Sequence, residues 1–424
     1  MLSEPATRAQ AEALLHAFAP RMGQNYATRR NYDFGPGAHR NVSGLSPFVR
    51  RRLVTERDLV ATALAAHGPH AAEKFVQEVI WRGYFKGWLE RRPGIWASYC
   101  AGRDNDLALM DTDRRLRRDV AAAISGTTGL ACFDAWAQEL TTTGYLHNHA
   151  RMWFASIWIF TLGLPWRLGA DFFLRHLLDG DPASNTLGWR WVAGLHTRGK
   201  AYAAQAHNIA QFTDGRFTPR DTDLAADVEG LERTEPDGLP SVTPLRTPIP
   251  PQPGVPSLLL ITEEDCRPED FDLTTIDIRA VATLAASTLR SPLPVPGRVA
   301  GFEGAALADA ATRTGHAAMP LHAGLPRDLA SFAARAGARQ IVTPFIPQGP
   351  LHDWLQQAAP DLDAQGIRLC EWQRDWDRAI WPHATAGFFK VKKQIPAILR
   401  AVGLEDAGTG AIPPGASDLP PKRP

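Results

Sequence analysis

In the first half of the chain apolar residues recur at three- and four-residue intervals over 53–66, 71–90, 147–162 and 168–178, broken by short Gly, Asp and Pro punctuation. That period predicts amphipathic and buried helices. The run PDGLPSVTPLRTPIPPQPGVP (236–256) interrupts it. Its prolines favour extended backbone over a packed core, which predicts a linker over 222–256. Beyond it, SLLLIT (257–262), TIDIRA (275–280), RQIVTP (339–344) and IRLCEW (367–372) have the form of short buried strands. Helical stretches at 304–314, 326–337 and 350–358 alternate with them, which predicts a mostly parallel, doubly wound Rossmann-like sheet. The expected organisation is an all-helical domain over 1–221, the linker, an α/β domain over 257–403 and a disordered tail over 404–424. No internal repeat is visible.

Composition narrows the picture. The 424 residues suffice for two or three domains, and a formal charge of +1 removes a wholesale basic coat, so any nucleic-acid contact must rest on a local patch. Cys100, Cys132, Cys266 and Cys370 are scattered without metal-ligand spacing, which favours a reducing compartment. The N-terminus lacks a basic-then-apolar leader pattern, and the most apolar run, Met152 to Leu164, is too short to span a bilayer. A cytoplasmic protein without a membrane segment is expected. Tryptophan is the outlier: nine of 13 lie between Trp81 and Trp191, so whatever they do belongs to the helical half.

Three segments carry chemistry. In TGYLHNHARMWFASIWIFTLGL (143–164), no charged residue follows Arg151 until Arg167. A buried guanidinium needs a carboxylate, since breaking such a pair costs about 3–5 kcal/mol. Asp179 and Asp181 of LLDGDP are the candidates. Asn148, Arg151 and Met152 share a helix face, presenting a donor, a cation and a thioether together. A purely structural arginine pair is the plain alternative. His147 and His149 point to different faces, so no metal site is expected. In FVQEVIWRGYFKGWLE (75–90), Glu78 and Trp81 lie on adjacent turns, while Glu78 and Arg82 have the spacing of an ordinary ion pair. NTLGWRW (185–191) sets Trp189 and Trp191 together after Asn185, a pattern that core packing also produces.

Taken in order, these segments resemble the FAD-binding domain of the DNA photolyase/cryptochrome family. NYATRRNYDFGPGAHRNVSGLSPFV (25–49) resembles its phosphate-holding segment, and WRLGADFFLRHLLDGDPASNTLGWRW (166–191) the stretch that wraps the flavin. The likeness covers about residues 20–215. It implies FAD as cofactor, with Tyr26, Ser43, Leu45 and Ser46 on the diphosphate by hydroxyls and backbone N–H groups. Val42 and Gly44 stand where the family often has a hydroxyl and an arginine. Arg151 and Asp179 would pair over the isoalloxazine ring, Asp181 would hold the folded cofactor, and Arg82 and Asn148 would complete its contacts. Asn185 would face flavin N5. An amide there is the photolyase type of residue.

The resemblance further implies light-driven splitting of cyclobutane pyrimidine dimers in UV-damaged DNA, with a flipped lesion between Trp81 and Trp191. Glu78 matches the lesion-binding acid and Met152 the methionine of dimer-repair enzymes. Trp189 and Trp166 match the first two tryptophans of the photoreduction path. The third is missing, because LALMDTDRRL (107–116) holds no Trp or Tyr, leaving Trp158 or Trp96 as substitutes. Arg30, Arg198 and Lys200 are the implied DNA contacts, while Gln205 stands where an arginine is common. Weaker duplex binding, and so room for a single-strand preference, follows. The second reading is a cryptochrome-like photoreceptor without repair.

Domain order is unusual. Family members begin with the α/β domain, whereas here SLLLITEEDCRPED and WPHATAGFFKVKKQIPAIL resemble its opening and closing segments from the C-terminal half. Such a rearrangement is reasonable where termini lie close together at a surface. No G-x-G-x-x-G follows a strand, which argues against a nicotinamide site. The antenna chromophore is left unspecified.

Overall fold

The computed structural model describes residues 5–405, and most of the expected tail lies outside them. The first half is helical. Its longest element, Glu56–Glu90, is two helices meeting at Gly68, whose φ of 68° ends the first and whose successor Pro69 opens the second. Thr55 starts it with a capping box: its side chain accepts from Asp58 N while Asp58 accepts from Thr55 N. Next come Pro93–Thr112, Arg114–Ser125, Ala131–Thr143, Asn148–Ser156, Trp166–His176 and Pro182–Val192. The expected helix over 147–162 is α-helical only to Ser156. Its apolar end, Ile157–Thr161, widens into a π turn.

The second half holds five parallel strands in the order β3-β2-β1-β4-β5: β1 Pro256–Thr262, β2 Asp277–Ala285, β3 Ala318–His322, β4 Gln340–Pro344 and β5 Arg368–Trp372. Two strand expectations need correction. β2 runs later than 275–280, because its buried part is Val281–Leu284, while Asp277 and Arg279 pair with each other near the surface. The sequence reading has no strand at β3, an exposed edge strand: Pro320 inside the short apolar run Ala317–Leu321 argues against a strand there and is tolerated only because this one lies at the sheet edge.

Segment 222–256 has two single-turn helices and otherwise extended backbone, but it is tied down at intervals. Leu231 N donates to Ala193 O, Arg190 pairs with Glu235, Thr243 N donates to Arg91 O, and Glu371 N donates to Ile249 O. It is a strap hydrogen-bonded to both halves.

A line of buried charge joins those halves. Arg50, Arg51 and Arg52 follow one another on the helical side, and Glu263, Glu264 and Asp265 follow β1. Arg50 reaches Glu264 at 2.6 Å, Arg51 reaches Glu263 at 2.9 Å, and Arg52 reaches Asp377 at 2.7 Å. Arg290 adds a contact to Glu263 at 2.8 Å and Arg374 one to Asp265 at 2.6 Å. The strand order reverses between β1 and β4, where doubly wound sheets usually take ligands. Here that end faces the helical half: Glu263–Asp265 meet the three arginines, and Gln348 N beyond β4 donates to Glu90 Oε1 at 2.5 Å.

Candidate functional site

A cavity of about 770 Å³ opens in the helical half, within the range that holds small-molecule ligands. Its wall begins at the Asn148–Ser156 helix. Arg151, one turn in, extends toward the loop after Trp166–His176, where its Nη2 meets both carboxylate oxygens of Asp179 at 3.1 and 3.0 Å. Its Nε donates to Leu146 O. The Asp179 side chain is 7% exposed. Burial alone would raise its pKa, but Arg151, a hydrogen bond from Ser46 and the charge of Arg82 hold it below the ordinary value. The partner expected for the lone arginine is therefore Asp179.

Asp181 works differently. Oδ1 caps the Pro182–Val192 helix by accepting from Ser184 N at 2.9 Å, while Oδ2 lies 2.9 Å from Lys86, 3.4 Å from Arg82 and 3.7 Å from Arg50. Burial opposes its ionisation, yet the three cations outweigh it and keep the carboxyl far below the ordinary range. Arg82 thus faces Asp181 and Glu56, at 3.4 and 3.2 Å. The spacing-based Glu78–Arg82 pair does not form. Glu78 instead binds Arg30 at 2.9 Å and Lys74 at 3.2 Å. Arg82 turns away because buried Glu56 and Asp181 offer two carboxylates in a drier setting.

One turn into its helix, Asn185 donates Nδ2 to Ala170 O at 2.8 Å, so its Oδ1 is the amide atom left free. Trp189 is 3% exposed and its indole N–H has no partner. It sits against Gly169, where an added Cβ would fall 2.3 Å from the indole ring, so glycine is required for this approach. Trp81 stacks on Phe388 with centroids 3.8 Å apart and planes at 12°, and Trp191 stacks on Tyr202 at 5.4 Å. Tyr26, Ser43, Leu45 and Ser46 close the cavity from the N-terminal segment. There the Ser43 hydroxyl accepts from Leu45 N at 3.3 Å.

The cavity thus gathers Tyr26, Arg30, Ser43, Leu45, Ser46, Glu78, Trp81, Arg82, Asn148, Arg151, Met152, Asp179, Asp181, Asn185, Trp189 and Trp191 from five separate segments. Three expected residues do not line it. Trp166 lies in the packing beside Tyr99, centroids 6.0 Å apart, and Arg198 donates to the Glu232 and Glu235 carbonyls of the strap. Lys200 is exposed on the same loop. Of the proposed stand-ins for the missing tryptophan, Trp158 meets Trp189 edge to face at 6.2 Å, while Trp96 lies beyond Tyr99 at 5.3 Å. The Trp96 indole N–H donates to Asp353 at 2.7 Å.

Sequence reasoning passed over Lys74, Phe173, Ser184 and His196, which also line the cavity; only Lys74, four residues before Glu78, had a usable spacing signal. His147 and His149 hydrogen-bond the Arg30 and Asn31 carbonyls, each at 3.0 Å, and so hold that segment against the cavity. A separate buried group, Asp33, His39 and Glu139, brings its ligand atoms within 4.8 Å of one another. His39 there contacts Glu139 at 2.9 Å, and Arg216 already occupies Asp33 at 2.6 Å.

Residues 75–217 match the family described as the FAD binding domain of DNA photolyase. A deoxyribodipyrimidine photo-lyase of Streptomyces griseus is 38% identical over 157 residues, 37% of this chain and 33% of that protein. One from Thermus thermophilus is 34% identical over 192 residues, 45% of this chain and 43% of that protein. The chain therefore spans between a third and under half the length of these relatives. Among solved structures, a cryptochrome of Synechocystis sp. PCC6803 aligns with a TM-score of 0.41 at 23% identity, over 50% of this chain and 44% of that one. Among the described residues no helix is long and apolar enough to cross a membrane.

Proposed function

We propose, from the match of residues 75–217 to the FAD binding domain of DNA photolyase, that this chain is a flavin-dependent lyase that splits cyclobutane pyrimidine dimers in UV-damaged DNA with light. The observation that carries the reading is a single cavity in which the Arg151–Asp179 pair, the free Asn185 oxygen, Glu78 and two indoles converge. That donor set suits a flavin: a paired cation beside a flat ring, an acceptor for a ring N–H, and an indole with an unpartnered N–H close by.

When bound, FAD would supply the light-driven electron that opens the cyclobutane ring and would take that electron back once the ring has split. Every other part falls to the protein. Arg151, neutralised by Asp179, would lie against the ring without leaving an uncompensated buried charge. Asn185 would face N5 with its Oδ1, the amide's acceptor, since the Nδ2 bond to Ala170 O orients the amide, and would so hold a proton there. Tyr26, Ser43, Leu45 and Ser46 would take the diphosphate, and Asp181, Arg82 and Asn148 would help hold the cofactor. Glu78, already between Arg30 and Lys74, hydrogen-bonds the lesion. Trp81 and Trp191, each backed by a second ring, wall the flipped pair, where stacking contributes about 1–3 kcal/mol per base. Met152 packs beside it. Trp189 and Trp166 would relay electrons to the bound cofactor, and Arg30 and Lys200 would contact the strand, with Arg198, held by the Glu232 and Glu235 carbonyls, beside them.

We further take the five-stranded half as the counterpart of the family's leading domain, placed second in this chain, and the cytoplasm as its compartment, consistent with four free cysteines. The test is direct. Heating purified protein should release FAD rather than FMN, and the reduced protein under blue light should restore pyrimidines in UV-damaged oligonucleotides, with Glu78→Ala slower. Bound FAD without repair of single- or double-stranded DNA would overturn the enzyme reading in favour of a photoreceptor.

A further inference from the structure

The short helix Phe388–Lys392 packs against the Glu56–Glu90 helix from the far end of the chain. Its inner side is Phe388 and Val391, both buried. Phe388 covers one face of Trp81 and meets Tyr84 edge to face at 5.6 Å. The opposite side carries Phe389, Lys390 and Lys393, three- and four-residue neighbours on one face. Phe389 is 77% exposed, the most exposed of the large apolar side chains among the described residues. Lys390 and Lys393 are exposed too. Lys390 bonds only the Thr385 hydroxyl, at 2.7 Å, and neither lysine forms an ion pair among the described residues.

An exposed phenylalanine costs solubility, and neither lysine beside it is neutralised by a carboxylate among the described residues. Their position is informative: one ring, Phe388, separates this face from Trp81 and the cavity rim. Arg30 and Lys74 bind Glu78 on the cavity side of the same helix. We propose that Phe389, Lys390 and Lys393 form a DNA-docking surface for the strand that flanks the flipped lesion, Phe389 stacking on an unpaired base and the lysines contacting phosphates. The inference rests on the repair reading and deepens it. The α/β half, through its C-terminal segment, would then supply part of the substrate site, and a ring platform suits a strand whose bases are already unstacked.

The test measures binding of a labelled single-stranded oligonucleotide, with and without one thymine dimer, across about 50–200 mM salt. Lys390→Ala/Lys393→Ala in the full-length protein should lower the slope of log affinity against log salt by about 1.4, two phosphate contacts at about 0.7 each. Phe389→Ala should weaken binding about 5- to 150-fold, and Phe389→Trp should retain it. Repair of a dimer within a dinucleotide, too short to reach this face, should be unchanged in all three variants, which also reports that they fold. Unaltered slope and affinity, with wild type still preferring damaged DNA, would overturn this inference and leave the repair reading standing. Loss of binding in the variants alongside a wild type indifferent to damage would support the surface and overturn repair. No DNA binding by wild type would overturn both.

Discussion

Replacing Asp179 with alanine should destabilise the helical half by about 3 kcal/mol, the low end of the cost of breaking a buried pair. Arg151 would keep only its bond to the Leu146 carbonyl and the Tyr145 ring at 5.9 Å, neither of which carries compensating charge. The low end applies because the Arg151 side chain is 24% exposed and would recover some hydration. For a unit of this size about 1 kcal/mol corresponds to 2–4 °C, so the melting midpoint should fall by about 6–12 °C. The sign with pH follows from the depressed carboxyl. The stabilisation is complete above the ordinary aspartate pKa and is lost as pH falls through the lower folded-state value. The assay is thermal and urea unfolding followed by tryptophan fluorescence, which the helical half dominates, with flavin retention read by absorbance. Arg151→Met/Asp179→Leu, which removes both charges, should lose much less than the sum of its single variants. Simple additivity, or an Asp179→Ala protein as stable as wild type, would refute the claim that the pair is coupled and buried.

Glu263→Gln should cost about 3–5 kcal/mol, because Arg51 and Arg290 both rely on it in a dry interface; a urea midpoint equal to wild type would show that the two arginines find other partners. His176 and His196 are held down to about 4, by burial first and by neighbouring arginines second. Between pH 6.5 and about 4 the unfolded chain therefore binds more protons. Stability should fall with pH there by up to about 1.4 kcal/mol per unit for each histidine, and replacing both with phenylalanine should flatten the urea-midpoint profile. Trp189→Phe should nearly abolish light-driven flavin reduction, and Trp96→Phe should slow it more than Trp158→Phe if electrons arrive from the Asp353 side past Trp96 and Tyr99; equal rates in all three would reject that route.

Some of this architecture was legible along the chain. The helical period, the interruption between 66 and 71 and the apolar runs of β1, β4 and β5 are local properties, set by backbone sterics and side-chain spacing within a few residues, whereas the helix start expected at 53 waits for the capping box at Thr55. The lone charge of Arg151 likewise called for a carboxylate, since a largely buried guanidinium is costly when unpaired, and Asp179 answers it. Other features depend on which distant segments meet. Arg50–Arg52 look like a solvated basic run until Glu263–Asp265 and Asp377 arrive from more than 200 residues away. Glu78 and Arg82 have ideal spacing for each other, yet better-placed partners on other segments separate them. β3 is masked by Pro320, which only an edge position tolerates, and Phe388 becomes the backing of Trp81 only once the second half docks on the first. Periodicity records what each residue does to its near neighbours. Pair choice between remote charges and rings is settled by desolvation and packing, which exist only after the chain has folded back on itself.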